Sequence, residues 1–323
     1  MSEPTVLSHL AHVVVALLRD DPSCVLLGED VADGGMLGLS RGAIEDAALR
    51  PRVLATPLTP SVLAAHAAGL AVSGRHPLVL LPDVAALVEG LAGLREAAAW
   101  SWRSEDAVRV PLCFVAPCGP GLGLGGHASE AAISMLTHIP GLTVLCVGRS
   151  ADAGAWLRAA ARHAIDLGPT VLLVPRGLLL GSLDAPMSDE LPRHPSAAHR
   201  VHDGAAATVF AWGEALPVAL AAVERSGIDA AVVDVGCLAP LDLPTLDGEA
   251  RATGKLVIVH AGPRAGGVGA ELAARFADSA ILHLDAPVVR VTGAEPPLRP
   301  SDEAAAVPDV DRVVQVLTRV ANY

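Results

Sequence analysis

The sequence is poor in aromatic residues, in lysine and in asparagine. Aromatic side chains make up 2% of its 323 residues, and Lys255 and Asn322 are the sole lysine and the sole asparagine. Acidic residues number 35 against 23 Lys and Arg, which gives a formal net charge of −12. Nucleic acids and anionic membranes are bound through clusters of basic side chains. We therefore expect neither a nucleic acid nor a membrane as a partner.

Long apolar runs, a signal sequence and paired cysteines are also missing. No window holds the 18 or so uncharged apolar residues that a membrane-spanning helix needs. The N-terminus lacks the basic segment and the cleavage site of a secretory signal. The five cysteines are scattered without CxxC spacing, so we expect neither a disulfide framework nor a zinc site. Together these absences predict a cytoplasmic protein.

What is present is apolar residues, at 52% of the chain, while charged residues are 18%. This composition excludes a disordered chain, which needs few apolar residues and a high charge. Solvated surfaces need charge, so the apolar excess predicts more buried surface than a lone monomer supplies. The length exceeds one comfortable hydrophobic core, so two domains are expected.

Short runs of Val, Leu and Ile alternate with alanine-rich segments, which is typical of a buried parallel sheet flanked by helices. The predicted strands are 25–27, 77–81, 112–116, 143–147, 170–174, 207–211, 230–233, 255–260 and 287–291, and the predicted helices are 61–73, 85–103, 130–138 and 151–165. Residues 181–202 are rich in Pro, Ser, Asp and His, as linkers are. We predict domains 1–195 and 196–323.

A glycine-rich loop, GPGLGLGGH over Gly119–His127, lies between a predicted strand and a predicted helix. Backbone amides in such a loop can bind an anion at the start of a helix. The spacing contains a loose G-x-G-x-G-G, but no acidic ribose-binding residue follows at the required distance. Phosphate binding and a plain mobile connection are both open interpretations of this loop.

The order of short motifs resembles the β subunit of the thiamine-diphosphate-dependent decarboxylase component of 2-oxo acid dehydrogenases. VLLGEDVADGG at Val25–Gly35 is similar to the family's opening strand and acidic turn, and RVLATPLT at Arg52–Thr59 follows in the family spacing. HIPGLTVLCV, GPTVLLVPR and VDVGCLAPLD fit in order. The strongest stretches are VIVHAGPRAGGVGAELAAR and LDAPVVRVTGAEPPLRPS.

The resemblance implies an α/β fold with an N-terminal pyrimidine-binding-type domain, built on a parallel sheet, and a C-terminal transketolase-type domain. It also implies a complex of two α and two β subunits, with self-association of β and an acyl-carrier domain or protein as a further partner. The α subunit would hold the diphosphate and magnesium, and the β subunit the aminopyrimidine ring. The α-type metal motif needs an Asn downstream of an Asp-Gly pair, and the sole Asn here is the penultimate residue.

Three positions depart from the family pattern. Pro60 stands where a glutamate normally contacts the aminopyrimidine ring, and proline has neither a carboxylate nor a backbone N–H. Ala86 stands near where an aromatic residue normally stacks on that ring. Ala128 stands where a histidine normally precedes the serine that matches Ser129. Leu58, in the same motif as Pro60, is expected at the ring as well.

Other residues could supply the missing chemistry. Glu29 matches a carboxylate near the family's cofactor site, where it could relay a proton through water; an ordinary capping role in an acidic turn is the alternative. His127 lies one residue from the expected histidine, and a solvent-facing loop histidine is the alternative. Asp166 resembles a position near the family's monovalent-cation loop.

Three functional hypotheses remain open from the sequence. The first is an active β-type subunit that moves acyl or two-carbon units from a 2-oxo acid or ketose with an atypical cofactor pocket. The second is a pseudo-enzyme subunit that scaffolds or regulates an α-type partner. The third is a pocket for another small ligand, shaped by Pro60 and Ala86.

Overall fold

The computed structural model describes residues 5–57, 59–105, 107–125, 133–181, 186–191 and 193–323. These residues form two compact units. The first unit comprises the chain up to Cys118 together with Met135–Pro195. The second comprises Ser196–Tyr323 together with the segment that begins at Gly119 and ends at Ser134. Each unit has its own sheet, so each is described separately.

The chain up to Leu180 alternates strands and helices. The strands are β1 (Cys24–Gly28), β2 (Val53–Ala55), β3 (His76–Leu80), β4 (Cys113–Cys118), β5 (Thr143–Cys146) and β6 (Thr170–Pro175). The helices are α1 (Val6–Asp20), α2 (Arg41–Glu45), α3 (Pro60–Val72), α4 (Val84–Glu89), α5 (Leu91–Arg103), α6 (Ile133–Thr137), α7 (Ala153–Leu167) and α8 (Arg176–Leu180).

The sheet of the first unit is parallel, with these six strands in the order β5-β6-β4-β3-β1-β2. Strands β1, β4 and β6 are buried along their whole length. Burial on both faces explains why these strands read as continuous apolar runs rather than as alternating patterns. The carboxyl ends of all six strands lie along one edge of the sheet, where α/β folds place their ligands.

One predicted helix is divided in the structure. The segment 85–103 forms two helices, α4 and α5, which meet at Gly90. A Cβ atom at Gly90 would lie 3.1 Å from the Pro60 carbonyl oxygen, and one at Gly93 would lie 2.8 Å from the Ala64 Cβ. These two glycines therefore let α5 approach α3 closely, and the approach brings the start of α3 to the α4–α5 junction.

The second unit contains the remaining elements. Its strands are β7 (His199–His202), β8 (Ala207–Ala211), β9 (Ala230–Asp234), β10 (Cys237–Ala239), β11 (Leu256–His260) and β12 (Val289–Thr292). Its helices are α9 (Ala215–Ser226), α10 (Leu243–Thr253), α11 (Val268–Ser279) and α12 (Val310–Ala321), and a 3-10 helix covers Pro300–Ala306.

The sheet of this unit runs in the order β12-β11-β8-β9-β7. Its strands are parallel except β7, which pairs antiparallel with β9 at the edge. Residues 181–202 were predicted to be a linker, and this prediction is wrong for His199–His202. The pairing with β9 orders these four residues, and the Arg200 side chain binds Glu249 of α10.

The core of the second unit lies between its sheet and the helices α9 and α12. Helix α12 turns Val313, Leu317 and Val320 towards the sheet, at the spacing of one helical face. Asp309 caps this helix by accepting a hydrogen bond from the Arg312 backbone at 2.9 Å. The mostly parallel α/β class predicted from the sequence is confirmed for both units.

The described residues contain no helix that is long and apolar enough to cross a membrane. All five cysteines are buried, and they carry thiols rather than disulfides. Burial raises the pKa of the Cys24 and Cys237 thiols to about 12. These two thiols are therefore protonated at neutral pH and unreactive as nucleophiles.

Candidate functional site at the carboxyl edge of the first sheet

Three neighbouring strands of the first unit deliver the predicted residues to one edge of the sheet. Strand β1 lies between β2 and β3 and is parallel to both. Glu29 directly follows β1, and Thr56 directly follows β2. The Thr56 backbone N–H donates to the Gly28 carbonyl oxygen at 3.0 Å. This bond holds the acidic turn after β1 beside the start of the loop that leads to α3.

At Gly28, the backbone of β1 lies very close to that of β3. A Cβ atom at this position would lie 2.4 Å from the Leu80 carbonyl oxygen and 2.8 Å from the Val31 side chain. Neither a backbone carbonyl in a paired strand nor a buried valine can move away at low cost. Only glycine therefore fits at the end of β1, and this fixes the direction in which Glu29 leaves the sheet.

Glu29 is a buried carboxyl group with an unmet hydrogen-bonding capacity. Its side chain is 8% exposed, and Oε1 has no hydrogen-bond partner among the residues that the structure describes. Burial raises the pKa of Glu29, and the nearby carboxylates of Asp30, Glu89 and Asp83 raise it further. A carboxyl group with a raised pKa holds its proton to a higher pH than an ordinary glutamate does, which suits it to proton transfer.

Asp83 organises the next part of the same edge. It follows β3 and caps α4, because its Oδ1 accepts a hydrogen bond from the Ala86 backbone N–H at 3.2 Å. Its other oxygen, Oδ2, lies 3.9 Å from Nη2 of Arg176. Arg176 begins α8, directly after β6, and is 1% exposed. A buried guanidinium group thus faces the acidic residues from a fourth strand end.

Pro60 and Ala86 meet at the junction of α4 and α5. A Cβ atom at Gly90 would lie 3.1 Å from the Pro60 carbonyl oxygen and 3.3 Å from the Ala86 carbonyl oxygen. Pro60 is the first residue of α3, where proline is well tolerated because the N–H at this position has no helical partner. The side chains offered at this junction are a pyrrolidine ring and a methyl group, so neither a carboxylate nor an aromatic ring comes from these positions.

Comparison with known proteins matches both units to established families. Residues 2–181 match the transketolase pyrimidine-binding domain, and residues 196–313 match the transketolase C-terminal domain. The pyruvate dehydrogenase E1 component subunit beta of Leifsonia xyli is 32% identical over 311 residues, which cover 94% of this chain and 90% of that protein. The 2-oxoisovalerate dehydrogenase subunit beta of Pseudomonas aeruginosa is 30% identical over 334 residues, covering 98% and 94%.

The chain belongs to the transketolase-like family of 2-oxo acid dehydrogenase β subunits. A solved split-gene transketolase, in an inactive β4 tetramer, superposes with a TM-score of 0.77, 20% identity and 98% coverage of both chains. At that identity the superposition supports the fold alone. These matches confirm the family resemblance that the motif order predicted. The family depends on thiamine diphosphate.

Among the site residues predicted for this β-subunit relative, the structure brings Glu29, Pro60 and Ala86 to one edge of the first sheet. Leu58 and His127 lie outside the described residues, as do Ala128 and Ser129. The roles of all these residues stay predictions. Asp83 and Arg176 were not predicted to have a role, although each lies within three residues of the carboxyl end of a strand, where α/β folds place their ligands.

Asp166 lies elsewhere. It is the penultimate residue of α7, just before β6 begins, which places it at the amino edge of the sheet. Its backbone carbonyl accepts a hydrogen bond from Arg109 at 2.9 Å. Its side chain lines a cavity of about 520 Å³ that also contains Arg158 and Arg162. The same cavity is also lined by Asp189 and Glu190, so its charges are mixed, and the monovalent-cation site stays a prediction.

The described residues hold no group of three or more His, Cys, Asp or Glu side chains that could bind a metal ion. The edge residues fit one part of the family's cofactor. Glu29 offers a buried, unpartnered carboxyl oxygen for a polar ring, and the buried Thr56 Oγ1 also has no hydrogen-bond partner among the described residues. Pro60 and Ala86 offer neither a carboxylate nor an aromatic ring, and the place of these two residues at the cofactor ring stays a prediction.

Proposed function

We propose that this chain is the β-type subunit of a thiamine-diphosphate-dependent complex that transfers acyl or two-carbon units from a 2-oxo acid. The relatives from Leifsonia xyli and Pseudomonas aeruginosa, named for pyruvate and 2-oxoisovalerate dehydrogenases, support this reaction class. In the proposed complex two α-type subunits hold the diphosphate and magnesium, and two β-type subunits hold the aminopyrimidine ring. An acyl-carrier domain or protein would accept the product. A cytoplasmic location stays a prediction.

The observation that carries the proposal is the state of Glu29. Burial and three neighbouring carboxylates raise its pKa, and its Oε1 has no hydrogen-bond partner among the described residues. A buried polar atom without a partner costs free energy unless a ligand supplies one. A ring nitrogen of the cofactor is a suitable partner, and Glu29 would hold a proton at this atom in place of the missing glutamate at position 60.

Thiamine diphosphate, when bound, supplies the nucleophilic carbon that attacks a 2-oxo group. In the proposed complex, the residues of this chain orient the aminopyrimidine ring and hold a proton beside it. Asp83 fixes the start of α4 through the Ala86 N–H, and Arg176 lies against Asp83. The buried guanidinium offsets part of the negative charge that Glu29, Asp83 and Glu89 gather at the same edge.

The test of this function is a reconstituted complex with the α-type partner, assayed by release of CO₂ from pyruvate and 2-oxoisovalerate. Glu29→Gln keeps the shape of the side chain but cannot take up or release a proton. We expect kcat to fall by about 10²–10⁴, the usual contribution of a general acid–base group. Glu45→Gln, a change of an exposed residue at the end of α2, should leave kcat unchanged. Equal rates for Glu29→Gln and the unmodified protein would contradict the assignment.

A second function, a non-catalytic subunit that scaffolds or regulates its α-type partner, is favoured by the side chains at Pro60 and Ala86. Pro60→Glu separates the two functions. A glutamate suits the first turn of α3, which contains no acidic residue. If the pocket binds thiamine diphosphate, this substitution should increase kcat, by about tenfold or more. A complex that binds no thiamine diphosphate by calorimetry, with or without Pro60→Glu, supports the scaffold.

A further inference from the structure

The glycine-rich loop that follows β4 has an unusual backbone. Gly119, Gly121, Gly123 and Gly125 all have positive φ values, of 77°, 136°, 67° and 84°. Residues with side chains rarely adopt these conformations, which explains the alternation of glycine in the sequence. Left-handed residues at close intervals turn successive backbone N–H groups towards one side, and such concave backbones bind anions. The loop therefore requires an acceptor on its concave side.

The acceptor is a side chain of the same unit. The Glu303 carboxylate accepts hydrogen bonds from the backbone N–H groups of Gly121 at 2.5 Å, Leu122 at 3.1 Å and Gly125 at 3.4 Å. The first two bonds go to Oε1 and the third to Oε2. Glu303 is 5% exposed. Each oxygen of a buried carboxylate is thus used by the loop, and bonds of this charge-assisted kind are strong.

Glu303 is held by a rigid part of the second unit. It lies in the first turn of the 3-10 helix Pro300–Ala306. The carbonyl oxygen of Ala306, at the end of this helix, accepts a hydrogen bond from the Gly262 backbone at 2.7 Å, and a Cβ atom at Gly293 would lie 2.0 Å from the same oxygen. The helix is thus packed tightly against the end of β12, and it fixes the carboxylate in place.

A second buried carboxylate lies at the other end of the loop. A Cβ atom at Gly119 would lie 2.0 Å from Oε1 of Glu214, so only glycine lets the backbone come this close. Gly125, in turn, contacts the segment before the 3-10 helix, since its Cβ atom would lie 3.1 Å from the Leu298 carbonyl oxygen. Both ends of the loop are therefore fitted against fixed groups of the second unit.

We propose that Glu303 is a positioning residue: its carboxylate is the anion that the glycine-rich loop binds, and it fixes the backbone of the loop from Gly121 to Gly125. The proposal rests on the proposed function and on the sequence-based prediction that His127, two residues beyond Gly125 in the sequence, takes part in its chemistry. An external phosphate would meet the negative charge of Glu303 at the concave side of the loop. The loop therefore binds a carboxylate of its own unit. This carboxylate belongs to Glu303, which lies between 178 and 182 positions further along the chain than the three residues it contacts.

Hydrogen exchange on the full chain in its complex tests the contact without any assay of activity. We expect the peptide that contains Gly121, Leu122 and Gly125 to exchange about 10- to 100-fold faster in Glu303→Ala than in the unmodified protein. Asp302→Asn, a charge change at an exposed residue of the same 3-10 helix, is the matched control and should leave exchange unchanged. The α10 peptide, distant in sequence, should keep its exchange rate in every variant.

Acetate provides a rescue experiment. At about 100 mM sodium acetate, the loop amides of Glu303→Ala should regain slow exchange, whereas sodium chloride should have no effect. If Glu303→Ala does not fold, Glu303→Gln replaces it, because glutamine keeps one acceptor oxygen and loses the bond to Gly125. Unchanged exchange in these variants would overturn the proposal, as would slower exchange of the unmodified loop in inorganic phosphate or the failure of acetate to slow exchange in Glu303→Ala.

The effect on the reaction separates positioning from general stability. We expect Glu303→Gln to lower kcat by about tenfold or more and to leave the affinity for thiamine diphosphate within twofold, with partial recovery in Glu303→Asp. Faster loop exchange with an unchanged kcat would overturn the positioning role. If the unmodified complex releases no CO₂ from any 2-oxo acid, the proposed function fails, and the exchange experiment still decides whether Glu303 holds the loop.

Discussion

The two units each contain a buried glutamate beside a glycine-rich turn, but the two carboxylates differ in their partners. Glu303 binds three backbone N–H groups of its own unit. Oε1 of Glu29 has no partner among the described residues, and acidic neighbours surround the group. A carboxylate with all its bonds made fixes the structure, whereas one without them is suited to receive a ligand. Burial alone would not have distinguished the two roles.

The largest expected effect on stability is that of a substitution at Gly28, the residue at the end of β1 that precedes Glu29. Gly28→Ala would place a Cβ atom 2.4 Å from the Leu80 carbonyl oxygen, and we expect it to lower the free energy of unfolding by about 3 kcal/mol. Gly69→Ala is the control, since no atom lies within 4 Å of its Cβ position and alanine favours a helix by about 0.5–1 kcal/mol. Thermal unfolding of both variants measures the difference. Equal melting temperatures would mean that the edge is looser than described.

The second prediction concerns the loss of the Glu303 carboxylate, which accepts three backbone hydrogen bonds. Glu303→Gln should lower the free energy of unfolding by about 1–3 kcal/mol, because a buried backbone N–H loses its charged acceptor and faces a donor instead. Denaturant unfolding at neutral pH measures this value against Asp302→Asn. A gain in stability would show that the buried charge of Glu303 costs more than its three bonds contribute.

The smallest expected effect has the opposite sign. The pKa of Glu29 is raised in the folded state, so the folded protein binds a proton that the unfolded chain releases, and stability falls as pH rises from the ordinary glutamate pKa through the raised one. Glu29→Gln removes this loss. We expect a gain of about 1 kcal/mol or less at pH 8 and none at pH 4. Unfolding curves across this range check it, and a gain that is independent of pH would contradict the assigned cause.

The sequence predicted the strands well because buried parallel strands are continuous apolar runs. Strand β8, predicted at 207–211, has those bounds in the structure. The same reasoning missed β7, since its polar composition, His-Arg-Val-His, reads as a linker until β9 lies beside it. It also missed the break at Gly90, where glycine, a poor helix former, ends α4 and lies close to the Pro60 carbonyl oxygen of α3.

The candidate site was predictable only in part. Glu29, Pro60 and Ala86 lie in motifs that family resemblance could place, and the strand ends bring them to one edge. Glu303 was not predictable, because the loop it binds is 182 residues away from it along the chain at the most distant contact. The glycine spacing left anion binding and a plain mobile connection both open, and no local pattern could indicate which group would provide an anion.

Strand β7 has a consequence for how the isolated subunit can self-associate. It closes one rim of the second sheet in the antiparallel sense, and its register with β9 shifts between Arg200 and His202. A short edge strand with a shifted register, which also carries the Arg200–Glu249 ion pair, is a poor template for a strand of another molecule. These features therefore disfavour fibre growth by addition of strands at this edge of the second sheet.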